Sequence, residues 1–147
     1  MKRLPLIVGL LIVALVGGRE VGFFPESATT TPASAGKTDT ALQSAYENQI
    51  SDLQIRGDGE VTKVLPDDND GSRHQRFILR TAIGQTVLVA HNIDLADRIG
   101  GLKAGDHVEF NDEYELNAKG GVIHWTHRDP QGRHESGWLK HKGRTYE

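Results

Sequence analysis

Residues 59–91, GEVTKVLPDDNDGSRHQRFILRTAIGQTVLVAH, decide the fold. Three short runs rich in β-branched and aliphatic residues, GEVTKVL (59–65), RFILRT (76–81) and TVLVAH (86–91), are separated by the turn-forming PDDNDGS and IGQ, a pattern that predicts three successive strands. The chain continues with NIDLADRIGGL (92–102), which predicts a short helical turn capped by Asn92. In GDHVEFNDEYEL (105–116), Val108, Phe110, Tyr114 and Leu116 share parity, as a half-buried strand requires. Upstream, Leu42, Tyr46, Ile50 and Leu53 form a stripe at helical spacing, with Asp39 among the possible caps and Gly57 as the stop. The stretch 39–57 therefore predicts an amphipathic helix lying over the domain.

Three strands, a helix, then further strands is the element order of the OB-fold, a small Greek-key barrel. The expected class is mainly β: an OB-like barrel with one short internal helix, a preceding amphipathic helix and a C-terminal β-hairpin extension. The opening Gly-x-Val and the Leu-x-x-Gly-Asp-x-Val at Leu102–Val108 look like those of small exported bacterial OB-fold domains. From about Arg73 onward, and most specifically in GVIHWTHRDPQGRHESGWLKHKGRTY (121–146), the sequence resembles a bacterial family known only as a domain of unknown function. That resemblance implies no activity.

The remainder of the chain sets its organisation. Lys2 and Arg3 precede an uninterrupted small and apolar run, Leu4 to Gly18, as in an export signal. The run is shorter than the ~20 residues of a full membrane span. No cleavage motif follows it directly, so residues 1–26 are expected to be a signal peptide or a membrane anchor, placing the domain in the periplasm or on the outward side of the inner membrane. Residues 27–38 are small and polar, as in a linker, and 58–147 are expected to form the β domain. Residues 58–118 carry 6 Lys+Arg and 12 Asp+Glu, a balance of -6, whereas 119–147 carry 6 and 3, a balance of +3. An acidic body with a basic end gives nucleic acid only weak support as a partner. There is no cysteine, which removes disulfides, thiolate metal sites and thiol catalysis. No Ser-His-Asp motif, phosphate-binding glycine loop, Rossmann fingerprint or H-E-x-x-H is present.

Chemistry concentrates in HWTHRDPQGRHESGW (124–138). Asp129-Pro130-Gln131-Gly132 suits a type I turn with Gly132 left-handed. A hairpin built on it would pair Gly121–Arg128 with Gly137–His141. Alternation along such strands collects His127, Asp129 and Glu135 beside Trp125 and turns His124 and His134 to the other face. Imidazole plus two carboxylates is an acid-base set, or a site for a divalent metal such as zinc. With a tighter turn, His127 and His134 would form a two-histidine metal pair instead. The plain alternative is a cross-strand ion pair and a turn-initiating aspartate. Arg73 and Arg76, beside the first inter-strand loop, are candidates to meet an anion, with Trp125 and Trp138 as stacking surfaces. Asp67-Asp68-Asn69-Asp70-Gly71 lacks calcium-loop spacing and reads as a solvated turn. His107 and His141 read as surface residues.

Three functions remain open. The first is an envelope ligand-binding module for an oligonucleotide, oligosaccharide or peptide. The second is a metal-assisted phosphodiesterase-like hydrolase using the C-terminal cluster, and the third is a structural adaptor for an envelope protein.

Overall fold

The computed structural model describes residues 35–147. The signal or anchor segment and most of the linker lie outside the described residues. Helix α1 spans Ala35–Glu47 and is followed by seven strands: β1 Leu53–Val64, β2 His74–Arg80, β3 Thr86–Asn92, β4 His107–Glu115, β5 Val122–His124, β6 Trp138–His141 and β7 Arg144–Tyr146. The sheet runs β1-β2-β3-β5-β4, and a further β1–β4 pairing closes it into a five-stranded barrel. All these pairings are antiparallel except β3 with β5. This is the expected mainly β, OB-like Greek-key barrel. Strands β6 and β7 extend it from the β4 edge.

Alternation builds the interior. Phe77 and Leu79 of β2, Val87 and Val89 of β3, Val108, Phe110 and Tyr114 of β4, Ile123 of β5 and Leu139 of β6 are buried, while their strand neighbours face outward. The 12-residue β1 serves two partners, pairing Leu53–Glu60 with β4 and Glu60–Val64 with β2 across an irregularity at Val61–Lys63. Such a bulge bends a strand enough to turn a barrel corner. Gly121 admits β5: a Cβ there would lie 2.1 Å from the Tyr114 ring, and its φ of 94° suits glycine.

Three expectations about elements need correction. The helix expected over 39–57 occupies 35–47 instead. Leu42 and Ala45 enter the core, but Ile50 and Leu53 of the predicted stripe are exposed. Left-handed Gln49 and Asp52 (φ 57° at both) turn the chain, and residues from Leu53 onward are taken by the β4 ladder. Helical periodicity there yields to long-range strand pairing.

The internal helix over 92–102 is a single turn. Asn92 does cap it, accepting the Asp94 N–H at 3.0 Å, and Ala96 N–H reaches the Asn92 carbonyl at 3.1 Å. Buried Gln75 then donates to the Ile99 carbonyl and accepts its N–H, and His91 takes the Asp97 carbonyl, so side chains claim the backbone groups a helix would have used.

The C-terminal hairpin exists but joins different residues. It is β6–β7, turned through Lys142 and Gly143, whose φ values of 48° and 80° match a primed two-residue turn. Gly121–Arg128 and Gly137–His141 do not pair as strands. β5 and β6 instead lie end to end on the same edge of β4, with Glu113 opposite His124 and Asn111 opposite Trp138.

His141 is not a surface residue: it is buried and bonded to Asp106 at 2.9 Å. His91 is wholly buried in β3. His107 is exposed, as expected, and faces Asp58 at 3.1 Å.

Candidate functional site

The outer surface of β4, flanked by β5, β6 and the 125–137 loop, gathers the polar side chains. Inward residues on β4 alternate with outward Glu109, Asn111, Glu113 and Glu115. Across the sheet, Gln54 and His124 lie beside Glu113, and Arg56 and Trp138 lie beside Asn111. The Arg56 guanidinium stands over the Trp138 ring, 5.2 Å from its centroid, a cation–π contact. A groove of about 320 Å³ opens here, lined by Arg56, Glu109, Trp138, Lys140, Thr145 and Glu147.

The loop leaves β5 at Trp125, whose φ of 62° is left-handed. A non-glycine residue pays roughly 1–2 kcal/mol for that conformation. It re-enters the sheet at Gly137, whose N–H donates to the His127 carbonyl at 3.0 Å. A Cβ on Gly137 would sit 1.8 Å from the Trp125 carbonyl oxygen and 2.4 Å from Asp112 Oδ1, so glycine is required at this crossing.

Within the loop, Gly132 N–H bonds the Asp129 carbonyl at 3.1 Å and Gly132 is left-handed at φ 62°, as expected of Asp-Pro-Gln-Gly. The Asp129 carboxylate accepts three backbone N–H groups, from Gln131, Arg133 and His134. These bonds, led by Gln131, hold its pKa below the usual carboxylate range.

The expected His127, Asp129 and Glu135 set does not assemble. His127 is buried and its Nδ1 donates to the Arg128 carbonyl at 2.7 Å. Asp129 is committed to the turn, and Glu135 is exposed. Without a paired hairpin, the two-face sorting of these side chains loses its basis. His127 and His134 both pack against Trp125, at 5.3 Å and 4.3 Å between centroids. Among the described residues, no group of three or more His, Asp or Glu side chains is disposed to hold a metal ion.

What the loop does bring together is a different set. The His134 ring stacks on Trp125 with planes 9° apart. Its Nδ1 bonds the Glu135 carbonyl at 2.6 Å, and its Nε2 bonds the Glu113 carboxylate. His124 Nε2 faces the same carboxylate at 3.5 Å and Glu115 at 3.2 Å. Burial pulls the His134 pKa down, but bonding to Glu113 and to the Glu135 carbonyl, with the charges of Glu113 and Asp129, outweighs it and raises the pKa. Beneath this set, Asp112 points inward with no exposed surface. Burial holds its pKa well above the carboxylate range, against a backbone bond from Trp138.

The two arginines are engaged elsewhere. Arg73 pairs with Asp94 at 2.7 Å, and Arg76 donates to the Pro66 carbonyl through two nitrogens. Both fasten loops. Asp67–Gly71 forms the expected turn, with Asp68 accepting the Asp70 N–H at 3.0 Å. Sequence reasoning missed Glu113, Glu115, Arg56 and Lys140. Strand alternation marked the two glutamates as outward, but nothing local showed which loop lies over them.

The model of the family described as Protein of unknown function (DUF3465) matches residues 23–147, and the chain belongs to that family. Neither a curated protein nor a solved structure matched it.

Proposed function

We propose that this member of the DUF3465 family is a binding module for an oligosaccharide of the cell envelope, with Trp138 as the stacking surface. The supporting observation is the groove beside β6. It combines an indole with donors Arg56 and Lys140 and acceptors Glu109 and Glu147. A sugar ring presents an apolar face for stacking and hydroxyls that both donate and accept, so it uses a mixed set of this kind. A polyanion would meet the carboxylates of Glu109, Glu113, Glu115 and Glu147, at a repulsive cost. Export and retention at the membrane through residues 1–26 form part of this proposal, supported by the basic and apolar N-terminal sequence.

Calorimetric titration of the full-length chain with a short β-1,4-linked N-acetylglucosamine oligomer tests the reading, with an oligothymidylate as the polyanion control. Binding of the sugar alone is expected, weakened at least tenfold, about 1.4 kcal/mol, in Trp138→Ala at unchanged fold. Absence of sugar binding, or equal affinity in Trp138→Ala, refutes it.

A further inference from the structure

The 125–137 loop is held to the barrel by a contact with a definite proton count. Both ring nitrogens of His134 face groups that only accept hydrogen bonds, the Glu135 carbonyl and the Glu113 carboxylate. A neutral imidazole has a single N–H and satisfies one of them; the imidazolium satisfies both. The ring lies flat on Trp125, whose π face favours a cation. We infer that a proton on His134 clasps the 125–137 loop to Glu113 of β4, and that its loss releases the loop and loosens the Trp138 groove that directly follows it.

Three features of the geometry support this. The clasp spans the loop between two fixed ends, β5 at His124 and β6 at Trp138. Trp125, which carries the stack, holds a strained left-handed conformation at φ 62°. The surroundings favour the cation: Glu113 and Glu115 of β4 and Asp129 of the loop are acidic, opposed by His124 of β5 and by Arg133 and His127 of the loop. Strand β1 presents the uncharged Gln54 opposite Glu113. On deprotonation one ring nitrogen turns a lone pair toward its acceptor, the Glu135 carbonyl or the Glu113 carboxylate, and the charge attraction between the ring and Glu113 is lost.

The effect on the groove rests on the oligosaccharide reading; the clasp does not. The test uses the full-length chain with Trp138→Phe, which leaves Trp125 as the sole tryptophan, since the chain has 2. Trp125 emission and amide exchange across 125–137 are followed from about pH 5 to 9. A red shift and a fall in amide protection, taken relative to the intrinsic base-catalysed exchange rate at each pH, are expected as pH rises through a midpoint above the ordinary histidine value. Glu113→Gln should move that midpoint down, and His134→Asn should abolish the transition. A flat profile, or a midpoint unmoved in Glu113→Gln, overturns the clasp. If Glu113→Gln fails to fold, the His134→Asn comparison decides alone.

In the chain with Trp138 intact, affinity for the N-acetylglucosamine oligomer should fall several-fold across the same midpoint. Flat affinity over a titrating loop removes the regulation and leaves the clasp. Absence of sugar binding at every pH removes the oligosaccharide reading instead.

Discussion

At the scale of single residues, Asp112 makes the least comfortable contribution to the barrel. Its carboxyl is wholly buried on the inner face of β4, with neither oxygen bonded by a side chain. A folded-state pKa raised above the unfolded value means that the fold binds this proton more tightly. Stability therefore falls as pH rises from the ordinary carboxylate range, about 4, toward the folded value. Asp112→Asn removes the ionisation cost while keeping the shape. It is expected to raise stability at neutral pH by about 1–3 kcal/mol, with a gain that shrinks as pH approaches 4, measured by thermal melts across pH. A neutral-pH gain that persists unchanged in acid would contradict this account. From the sequence, Asp112 was one acid among the many of NDEYEL; only its parity with Phe110 and Tyr114 marked it as inward, and the contents of that interior were not legible.

At the scale of elements, the 125–137 loop shows how a correct local reading leads to a wrong partner. Asp129-Pro130-Gln131-Gly132 does form the expected turn, because turn chemistry is confined to four residues. The hairpin built on it does not form: both flanks pair with β4 instead, Val122–His124 against Glu113–Glu115 and Trp138–His141 against Val108–Asn111. The expected acid-base set went with it. Two glycines separate these effects. Gly137→Ala places a Cβ on the Trp125 carbonyl and on Asp112, two contacts that cannot both move aside. Gly132→Ala meets open space and pays only for its positive φ. Urea denaturation is expected to show a loss of about 1 kcal/mol for Gly132→Ala and at least twice that for Gly137→Ala. Similar values for the two would mean that the loop's return to the sheet is not the tight crossing described.

At the scale of the whole molecule, the C-terminal residues add to the core of the closed barrel. Leu139 and Tyr146 join its core, and His141 supplies the bond to buried Asp106, whose backbone meets Val61 at the β1 bulge. The Asp106 pKa is held down, chiefly by His141. Its contribution is present above the ordinary carboxylate range and lost as pH falls through the folded value. The acid limb of the melting profile should therefore flatten in Asp106→Asn, while the same limb in Asp112→Asn should converge on wild type; parallel acid limbs for wild type and Asp106→Asn would contradict this. What the sequence determined by itself was local: alternating strands, punctuating turns, the element order of a closed barrel, the Asn92 cap and the Asp129 turn, all set within a few residues by steric and hydrogen-bonding preference. Tertiary structure alone decided which strand edge each short segment joins, and so which histidine meets which carboxylate. β5 and β6 are too short to specify a partner by pattern, and the long β4 edge selects them by the ladder it offers.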